Sequence, residues 1–404
     1  MAGEGPLPVR WSDDDVTWRA RLRGTGVSSP IVQDSRAIVT YQLGRAERRP
    51  GDHPTLTQGG GDAGERVLEA DPAGEELAFA VAAFDRGDGA LLWEHVLPPE
   101  GPLPPVHDKH NLASSSPVTD GERVYAWFAT GQLLALNLET GEPVWERHLG
   151  QEYGPFEIVW GHSSSPALHG GTLFLLCDHK AAAYLLALDA RTGEERWRAD
   201  RGSGMRSYST PLVVDGPDGS ELVVNSSERL DAYDPATGER LWHAGGPNRF
   251  PVPAPTHADG IVYTSRGYRS GPYMALRTGG RGDVDDSHVL WRVPTGAPYV
   301  SSILHYRGHV YLANGGGVLT VVDAATGERL SQSRVGGIYS ASPAAGDGKV
   351  YLFSETGETV VLAAGAEPEV LARNRLPGRI LASPAIAAGS LFIRTDDELI
   401  RIGD

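Results

Sequence analysis

Histidine and lysine are concentrated in three short polar stretches of this 404-residue chain. The stretches are HDKHN at 107–111, WGH at 160–162 and CDHK at 177–180, and they hold four of the 13 histidines and two of the three lysines. Histidine can transfer protons near neutral pH or bind a metal, and lysine attracts carboxylates and phosphates. If the fold brings these stretches together, they form a locally cationic site.

Three of these histidines, His107, His110 and His162, could bind zinc or another divalent metal. Loop histidines without a fixed helical spacing more often act as hydrogen-bonding groups, so we predict no metal site. The single cysteine, Cys177, cannot form an intrachain disulfide. It follows the apolar run LFLL, which favours a buried strand end over a nucleophile.

A carbohydrate lyase or hydrolase would use a different subset of the polar residues. A histidine or lysine would serve with Tyr208 or Tyr268 as base and acid, and Arg206 would neutralise a substrate carboxylate. We keep this enzyme as the alternative to noncatalytic binding. No phosphate-binding loop, nucleophile elbow or HExxH motif is present in the sequence.

The elements that would position these residues come from an internal repeat. The pattern A-x-[DN]-x-x-T-G-x-x-x-W occurs at 135–145, 187–197 and 232–242, with looser copies at 83–93 and 321–331. The Asp or Asn bonds back to the turn and the Gly supplies a positive φ, which predicts a β-hairpin. Tryptophans at 18, 93, 145, 197, 242 and 291 follow the outer-strand pattern, and we expect them to pack between neighbouring repeat units.

A step of small residues before an apolar strand marks the repeat units. It occurs eight times, from SSP at 28–30 to ASP at 382–384. The first interval is 87 residues, and the later ones are 40 to 49 residues. Units of that length with four short strands are typical of propeller blades. We therefore predict an all-β, eight-bladed propeller of four-stranded antiparallel blades, closed by pairing strands around 16–22 and 391–402.

The predicted organisation is a single propeller domain, 16–404, after an N-terminal extension, 1–15. Residues 44–76, rich in Gly, Pro, Asp and Arg, are interpreted as a flexible insertion in the first blade.

In such a propeller, loops at one face converge on a central funnel, where ligands usually bind. We predict that the polar and aromatic residues of these loops bind a small anionic or carbohydrate ligand. The candidates are His107, Lys109, His110, Asn111, Trp160, His162, His179, Lys180, Arg206, Tyr208, Asn225, Arg266, Tyr268, Arg269, Tyr299, Asn314, Tyr339 and Arg379.

The hairpin pattern resembles the tryptophan-docking motif of the pyrroloquinoline quinone (PQQ) repeat. That family includes quinoprotein alcohol dehydrogenases and the BamB-like outer-membrane assembly lipoprotein, and the resemblance covers about residues 16 to 403. It implies the propeller fold, while PQQ with calcium would be implied only for a dehydrogenase. The chain has one cysteine, no C-x-x-C-H haem site and no identifiable calcium-binding trio, so we disfavour that cofactor.

Composition limits the partners. The net charge of −16 argues against nucleic acid, and no apolar run is long enough for a transmembrane segment. As it stands the sequence predicts a cytoplasmic monomer, and a periplasmic or exported protein if a signal peptide precedes the given sequence. We expect a binding or scaffold module, with either a funnel ligand or a protein partner.

Overall fold

The described part of the chain folds into eight antiparallel sheets arranged as propeller blades. The structure is a computed structural model and describes residues 6–46, 76–104, 106–107, 109–266, 268 and 270–403. Most of the predicted insertion 44–76, and the candidate Arg269, lie outside the described residues. The predicted all-β, eight-bladed architecture is confirmed.

Each blade contains four strands, and in each the innermost strand comes first in the chain, except that blade 8 takes its outer strand from the start of the chain. Strand β1 (Val16–Arg21) comes before blade 1 and pairs with the end of the chain. Blade 1 contains β2 (Ile31–Gln33), β3 (Arg36–Leu43), β4 (Ala78–Asp85) and β5 (Leu91–Leu97). Blade 2 contains β6 (Val118–Thr119), β7 (Arg123–Trp127), β8 (Gln132–Asn137) and β9 (Pro143–His148).

Blades 3 to 5 follow the same order. Blade 3 contains β10 (Ala167–His169), β11 (Thr172–Cys177), β12 (Ala183–Asp189) and β13 (Glu195–Gly202). Blade 4 contains β14 (Leu212–Gly216), β15 (Gly219–Asn225), β16 (Leu230–Tyr233) and β17 (Arg240–Ala244). Blade 5 contains β18 (Thr256–Ala258), β19 (Ile261–Ser265), β20 (Tyr273–Arg277) and β22 (Val289–Val293), and the short β21 (Gly282–Asp283) pairs in parallel with β17.

Blades 6 to 8 complete the circle. Blade 6 contains β23 (Leu304–Tyr306), β24 (His309–Ala313), β25 (Val318–Asp323) and β26 (Arg329–Arg334). Blade 7 contains β27 (Ala344–Gly346), β28 (Lys349–Phe353), β29 (Glu358–Ala363) and β30 (Val370–Arg375). Blade 8 contains β31 (Ala385–Ala387), β32 (Ser390–Arg394) and β33 (Glu398–Ile402), with β1 as its fourth strand.

Helices are short in the described residues. A 3-10 helix spans Asp13–Asp15, α1 spans Leu149–Glu152 and α2 spans Asp285–His288. No helix among the described residues is long and apolar enough to cross a membrane.

The core lies between neighbouring blades and not at the axis. Tyr125 and Trp127 of blade 2, for example, form one buried cluster with Leu173 and Leu175 of blade 3. Both faces of a middle strand are covered in this way, so all six residues of β11 are buried. This explains why such strands have nearly continuous apolar sequences.

The predicted tryptophan packing between blades is confirmed, and the turn glycines explain it. In Trp145 the indole Nε1 donates a 3.0 Å hydrogen bond to the Ala190 carbonyl in the turn of the next blade. The ring covers Gly193, whose φ is +75°. The same contact joins Trp18 to Gly89, Trp93 to Gly141, Trp197 to Gly238 and Trp291 to Gly327. Trp242 also packs between blades, but it donates to Glu221 of its own blade.

Candidate functional site

A cavity of about 280 Å³ lies at the propeller axis, where loops from all eight blades meet. We call it the axial funnel. The residues that line it precede the innermost strands, as the sequence predicted for a funnel. They are Val27, Ser29, His107, Lys109, His110, Ser114, Trp160, Ser163, Tyr208, Val252, Tyr299, Val300, Ser340, Ser342, Leu381, Ala382 and Ser383.

The small-residue steps form hydrogen-bonded links around the axis. In six of the eight steps the backbone N–H of the middle residue donates to the hydroxyl of the middle residue in the next blade. One run joins Ser29, Ser116, Ser165 and Thr210, and a second joins Ala254, Ser302, Ser342 and Ser383, at 2.8 to 3.1 Å. Only a small hydroxyl-bearing side chain can both fit this crowded position and accept the bond, so the step fixes the relative position of the blades.

One of the lining residues, Lys109, forms an ion pair with a residue of another blade. Lys109, in the loop before blade 2, places Nζ 3.0 and 2.9 Å from the two carboxylate oxygens of Glu355 in blade 7. Ser340 donates a further hydrogen bond to the same carboxylate. Because both charged side chains are largely buried, the positive charge predicted for this sector is neutralised within the protein.

One wall of the funnel is aromatic. Trp160 packs edge-on against His107, with ring centroids 5.2 Å apart. Tyr208 and Tyr299 also line the cavity and belong to a buried cluster against which Trp160 packs, and Tyr268 contacts Tyr299 with centroids 5.3 Å apart. These rings give the funnel a surface suited to the flat face of a small ring-shaped ligand.

Two histidines reach the funnel, and both are held by hydrogen bonds. His107 Nδ1 accepts the Lys109 backbone N–H at 3.1 Å. His110 Nδ1 lies 2.6 Å from the Ser114 hydroxyl. Burial, with a smaller effect of nearby His107, lowers the pKa of His110 to about 3, so its imidazole is neutral at physiological pH.

The other two predicted histidines lie behind the wall. His162 and His179 are fully buried, with His179 Nε2 3.5 Å from His162 Nδ1. His162 packs against Trp127 with centroids 4.1 Å apart and the rings tilted by 53°, and His179 packs on Phe156 at 4.2 Å. Burial lowers the pKa of both, that of His179 to about 3, so they act as neutral core residues.

Several other candidates use their polar groups within the scaffold. Asn225 donates to the Pro253 and Ser265 carbonyls and accepts from Arg266 at 2.6 Å. Asn111 donates to Thr25, and Asn314 accepts two backbone N–H groups of its own turn. These amides hold loops and blades together.

The remaining candidates are spread over the molecule. Arg379 pairs with Asp396 at 3.0 Å, and Tyr339 is buried between blades 6 and 7. Arg206 lies 5.8 Å from the centroid of Phe250, and its side chain does not line the funnel. Lys180 is exposed and lines a separate cavity of about 510 Å³ near α1.

Cys177 ends β11 and is fully buried. Burial raises the pKa of its thiol, which suits an inert core residue and not a nucleophile. This agrees with the expectation from the apolar run before it.

Sequence reasoning omitted the serines from the candidate site. Six line the funnel: Ser29, Ser114, Ser163, Ser340, Ser342 and Ser383. The signal was available, because Ser29, Ser342 and Ser383 are the middle residues of the small-residue steps. The pairing of Lys109 with Glu355 carries no local signal, since 246 residues separate them.

The family model described as "Outer membrane protein assembly factor BamB" matches residues 77–279 and 315–402. The chain belongs to this PQQ-like repeat family. The match covers the blades that carry the tryptophan-docking turns.

Individual relatives have different activities. A tetrathionate hydrolase from Acidithiobacillus ferrooxidans is 27% identical over 305 residues, 70% of this chain and 55% of the relative. Outer membrane protein assembly factor BamB of Kangiella koreensis is 28% identical over 193 residues, 44% of this chain and 47% of the relative. The chain therefore spans about half the length of either relative. Quinohemoprotein alcohol dehydrogenase from Comamonas testosteroni matches with a TM-score of 0.65 at 13% identity, over 97% of this chain and 78% of that chain, which shows the fold alone.

The residues present do not fit the PQQ cofactor of the dehydrogenase relatives. PQQ is a tricarboxylate, and the lysine in the described funnel lining is already paired with Glu355. Among the described residues, no group of three or more His, Cys, Asp or Glu side chains is arranged to hold a metal ion such as calcium.

Proposed function

We propose that the protein is a noncatalytic binding module whose axial funnel takes a small neutral carbohydrate. One observation carries the proposal: Trp160, Tyr208 and Tyr299 line the same cavity as six serine residues. Aromatic faces pack on the apolar face of a sugar ring, and hydroxyl and imidazole groups satisfy its hydroxyls. The cavity of about 280 Å³ is close to the lower size of small-molecule sites.

Charge favours a neutral ligand over an anionic one. The Lys109 ammonium is held by both oxygens of Glu355, and the low pKa of His110 keeps that ring uncharged. An anion entering the funnel would have to compete with the Glu355 carboxylate for Lys109. A neutral sugar can instead donate and accept hydrogen bonds beside the intact ion pair.

The arrangement supports binding over the enzyme alternative. A lyase or hydrolase would need His107, His110, His162 and Arg206 around one reacting point. Only His107 and His110 line the funnel, while His162 lies in the interblade core and Arg206 packs beside Phe250.

Isothermal titration calorimetry with neutral mono- and disaccharides, uronates and PQQ with calcium tests the proposal. We expect saturable binding of a neutral saccharide and its loss in Trp160→Ala. Tyr153→Ala is the control, because Tyr153 is also a partly buried aromatic residue but lies outside the funnel. Binding of uronates alone, or of no saccharide at millimolar concentration, would contradict the proposal.

A second candidate function, a scaffold for a protein partner, is favoured by a patch on blades 1 and 2. Leu91, Leu92 and Val96 on β5, and Val144 on β9, are exposed apolar side chains on the outer strands of adjacent blades. Such patches often mark protein contacts. The family name, outer membrane protein assembly factor, is consistent with this role and favours an exported location over the cytoplasmic one predicted from the sequence.

Affinity purification of the tagged chain from its host tests this second function. Leu92→Glu should reduce recovery of outer membrane protein assembly components at least fivefold. Ser333→Glu provides the control for the added charge, since Ser333 is exposed on the outer strand β26 of blade 6, across the propeller from blades 1 and 2. Equal recovery with both variants would refute a contact at blades 1 and 2.

A further inference from the structure

Blade 7 has no tryptophan at the outer-strand position that Trp145 occupies in blade 2. In blade 2, Ala135 of the third strand lies opposite Trp145 of the outer strand. At the same register in blade 7, Val361 of β29 lies opposite Ala372 of β30. The outer strand of blade 7 therefore leaves unfilled the space that the Trp145 indole occupies in blade 2.

Residues 6–12, which we call the N-terminal arm, fill this place. Trp11 and Leu7 are buried in one cluster with Ala372 and Tyr351. The Trp11 ring stacks on Tyr351, with centroids 6.5 Å apart and an interplanar angle of 28°. The arm thus supplies from outside the blade the aromatic ring that β30 lacks.

Side chains of blade 7 hold the backbone of the arm. Asn374 accepts the Trp11 N–H at 3.0 Å and donates to the Val9 carbonyl at 2.9 Å. The Tyr351 hydroxyl donates to the Pro8 carbonyl at 2.9 Å, and Asp347 accepts the Leu7 N–H at 3.2 Å. Hydrogen bonds to the main chain of a bound segment do not depend on which side chains it carries. Sequence recognition by this surface would therefore come from the two buried anchors, Leu7 and Trp11, and the residues between them could vary.

The arm is an imperfect occupant of this surface. Trp11 Nε1 is buried without a hydrogen-bond partner, whereas Trp145 and its equivalents donate to a carbonyl of the next blade. A buried N–H without an acceptor lowers the stability of the docked state. A segment that offered an acceptor to this indole would bind more tightly than the arm does.

We propose that this surface of blade 7 is a docking groove for an extended peptide with an aliphatic anchor and, four residues later, a tryptophan. The N-terminal arm is the intramolecular occupant that such a partner displaces. Asn374, Tyr351 and Asp347 bind the backbone of the partner, and the space beside Ala372 takes its indole. This groove is independent of the axial funnel.

The test uses a fluorescent peptide with the sequence of residues 6–12 and the full-length chain. In Leu7→Ala/Trp11→Ala the arm loses both anchors, so the peptide should bind saturably and at least tenfold more tightly than to wild type. A peptide with alanine in place of Trp11 should not bind, and adding Asn374→Ala to the double variant should abolish binding. A folded double variant that binds no peptide, or binds it no better than wild type, would overturn the proposal.

Hydrogen exchange on the wild-type chain provides a measurement that needs no variant. The Trp11 amide should exchange at least tenfold faster than the Val361 amide of β29, and excess peptide should speed it further. Equal protection of both amides, unchanged by peptide, would show that the arm is a fixed part of blade 7 and would also overturn the proposal.

Discussion

The indole of Trp145 lies directly over Gly193 of the following blade, so close that a β-carbon at Gly193 would come within 2.8 Å of the ring. The backbone there has φ of +75°, which L side chains rarely adopt. Gly193 thus combines two demands, a left-handed turn and room for the neighbouring indole, and this explains why T-G and W recur together in the sequence.

Gly193→Ala should therefore reduce the free energy of unfolding by about 3 kcal/mol, from left-handed strain of about 1–2 kcal/mol and displacement of the indole. Gly308→Ala is the matched control, because Gly308 has φ of +74° and no atom within 4 Å of an added β-carbon. In urea denaturation, Gly308→Ala should reduce the free energy of unfolding only by the left-handed strain of about 1–2 kcal/mol. Equal losses in the two variants would show that the indole contact adds nothing.

Buried neutral histidines predict acid sensitivity. The pKa of His179 is about 3 in the folded chain, while an unfolded histidine titrates near its ordinary value of about 6.5. Between these values only the unfolded state takes up the proton, so stability is complete above pH 6.5 and falls as the pH decreases. From pH 7 to pH 5 this residue alone should remove about 2 kcal/mol of unfolding free energy.

His179→Gln should flatten this dependence, because an amide does not titrate in that range. The comparison is the slope of unfolding free energy against pH between 7 and 5, with His309→Gln as a surface control. An unchanged slope in His179→Gln would mean that His179 takes up its proton in the folded chain as readily as in the unfolded chain.

The repeat made the architecture predictable because each blade is specified locally. An Asp or Asn, a glycine and a tryptophan within eleven residues fix one hairpin and its contact with the next blade. The candidate funnel site is not specified by any one stretch of sequence, because its residues come from different blades. Asn225 and Arg266, both predicted to bind ligand, come from adjacent blades and bond to each other at 2.6 Å. Trp11 escaped notice because residues 6–12 contain no copy of the repeat.

Removal of the Glu355 charge should change the ligand preference of the funnel. In Glu355→Gln the Lys109 ammonium loses its countercharge, so we expect uronate affinity to rise at least fivefold at low ionic strength and to decline with added salt. Titration calorimetry with a uronate and its neutral parent sugar measures the change. Glu358→Gln is the control, since Glu358 forms an exposed ion pair with Arg373 on the same blade.

No gain in uronate affinity in Glu355→Gln would show that Lys109 does not face the ligand. An equal gain in Glu358→Gln would instead attribute the effect to net charge.

Trp242 departs from the other interblade tryptophans in its hydrogen bond. Its Nε1 donates to the buried carboxylate of Glu221 at 2.8 Å, and Glu221 also accepts the Gly279 N–H at 2.8 Å. Trp242→Phe leaves one buried carboxylate oxygen without its donor, so it should cost about 1–3 kcal/mol more than Trp197→Phe. In Trp197→Phe the acceptor that loses its donor is the Pro235 carbonyl.

Glu221→Gln separates the charge from the packing. If the buried carboxylate is what makes Trp242→Phe costly, then Glu221→Gln/Trp242→Phe should be more stable than the sum of the single changes, as a double-mutant cycle in urea would show. An additive cycle would assign the loss to packing alone. The indole would then hold blades 4 and 5 together by packing, and the hydrogen bond to Glu221 would add nothing to stability.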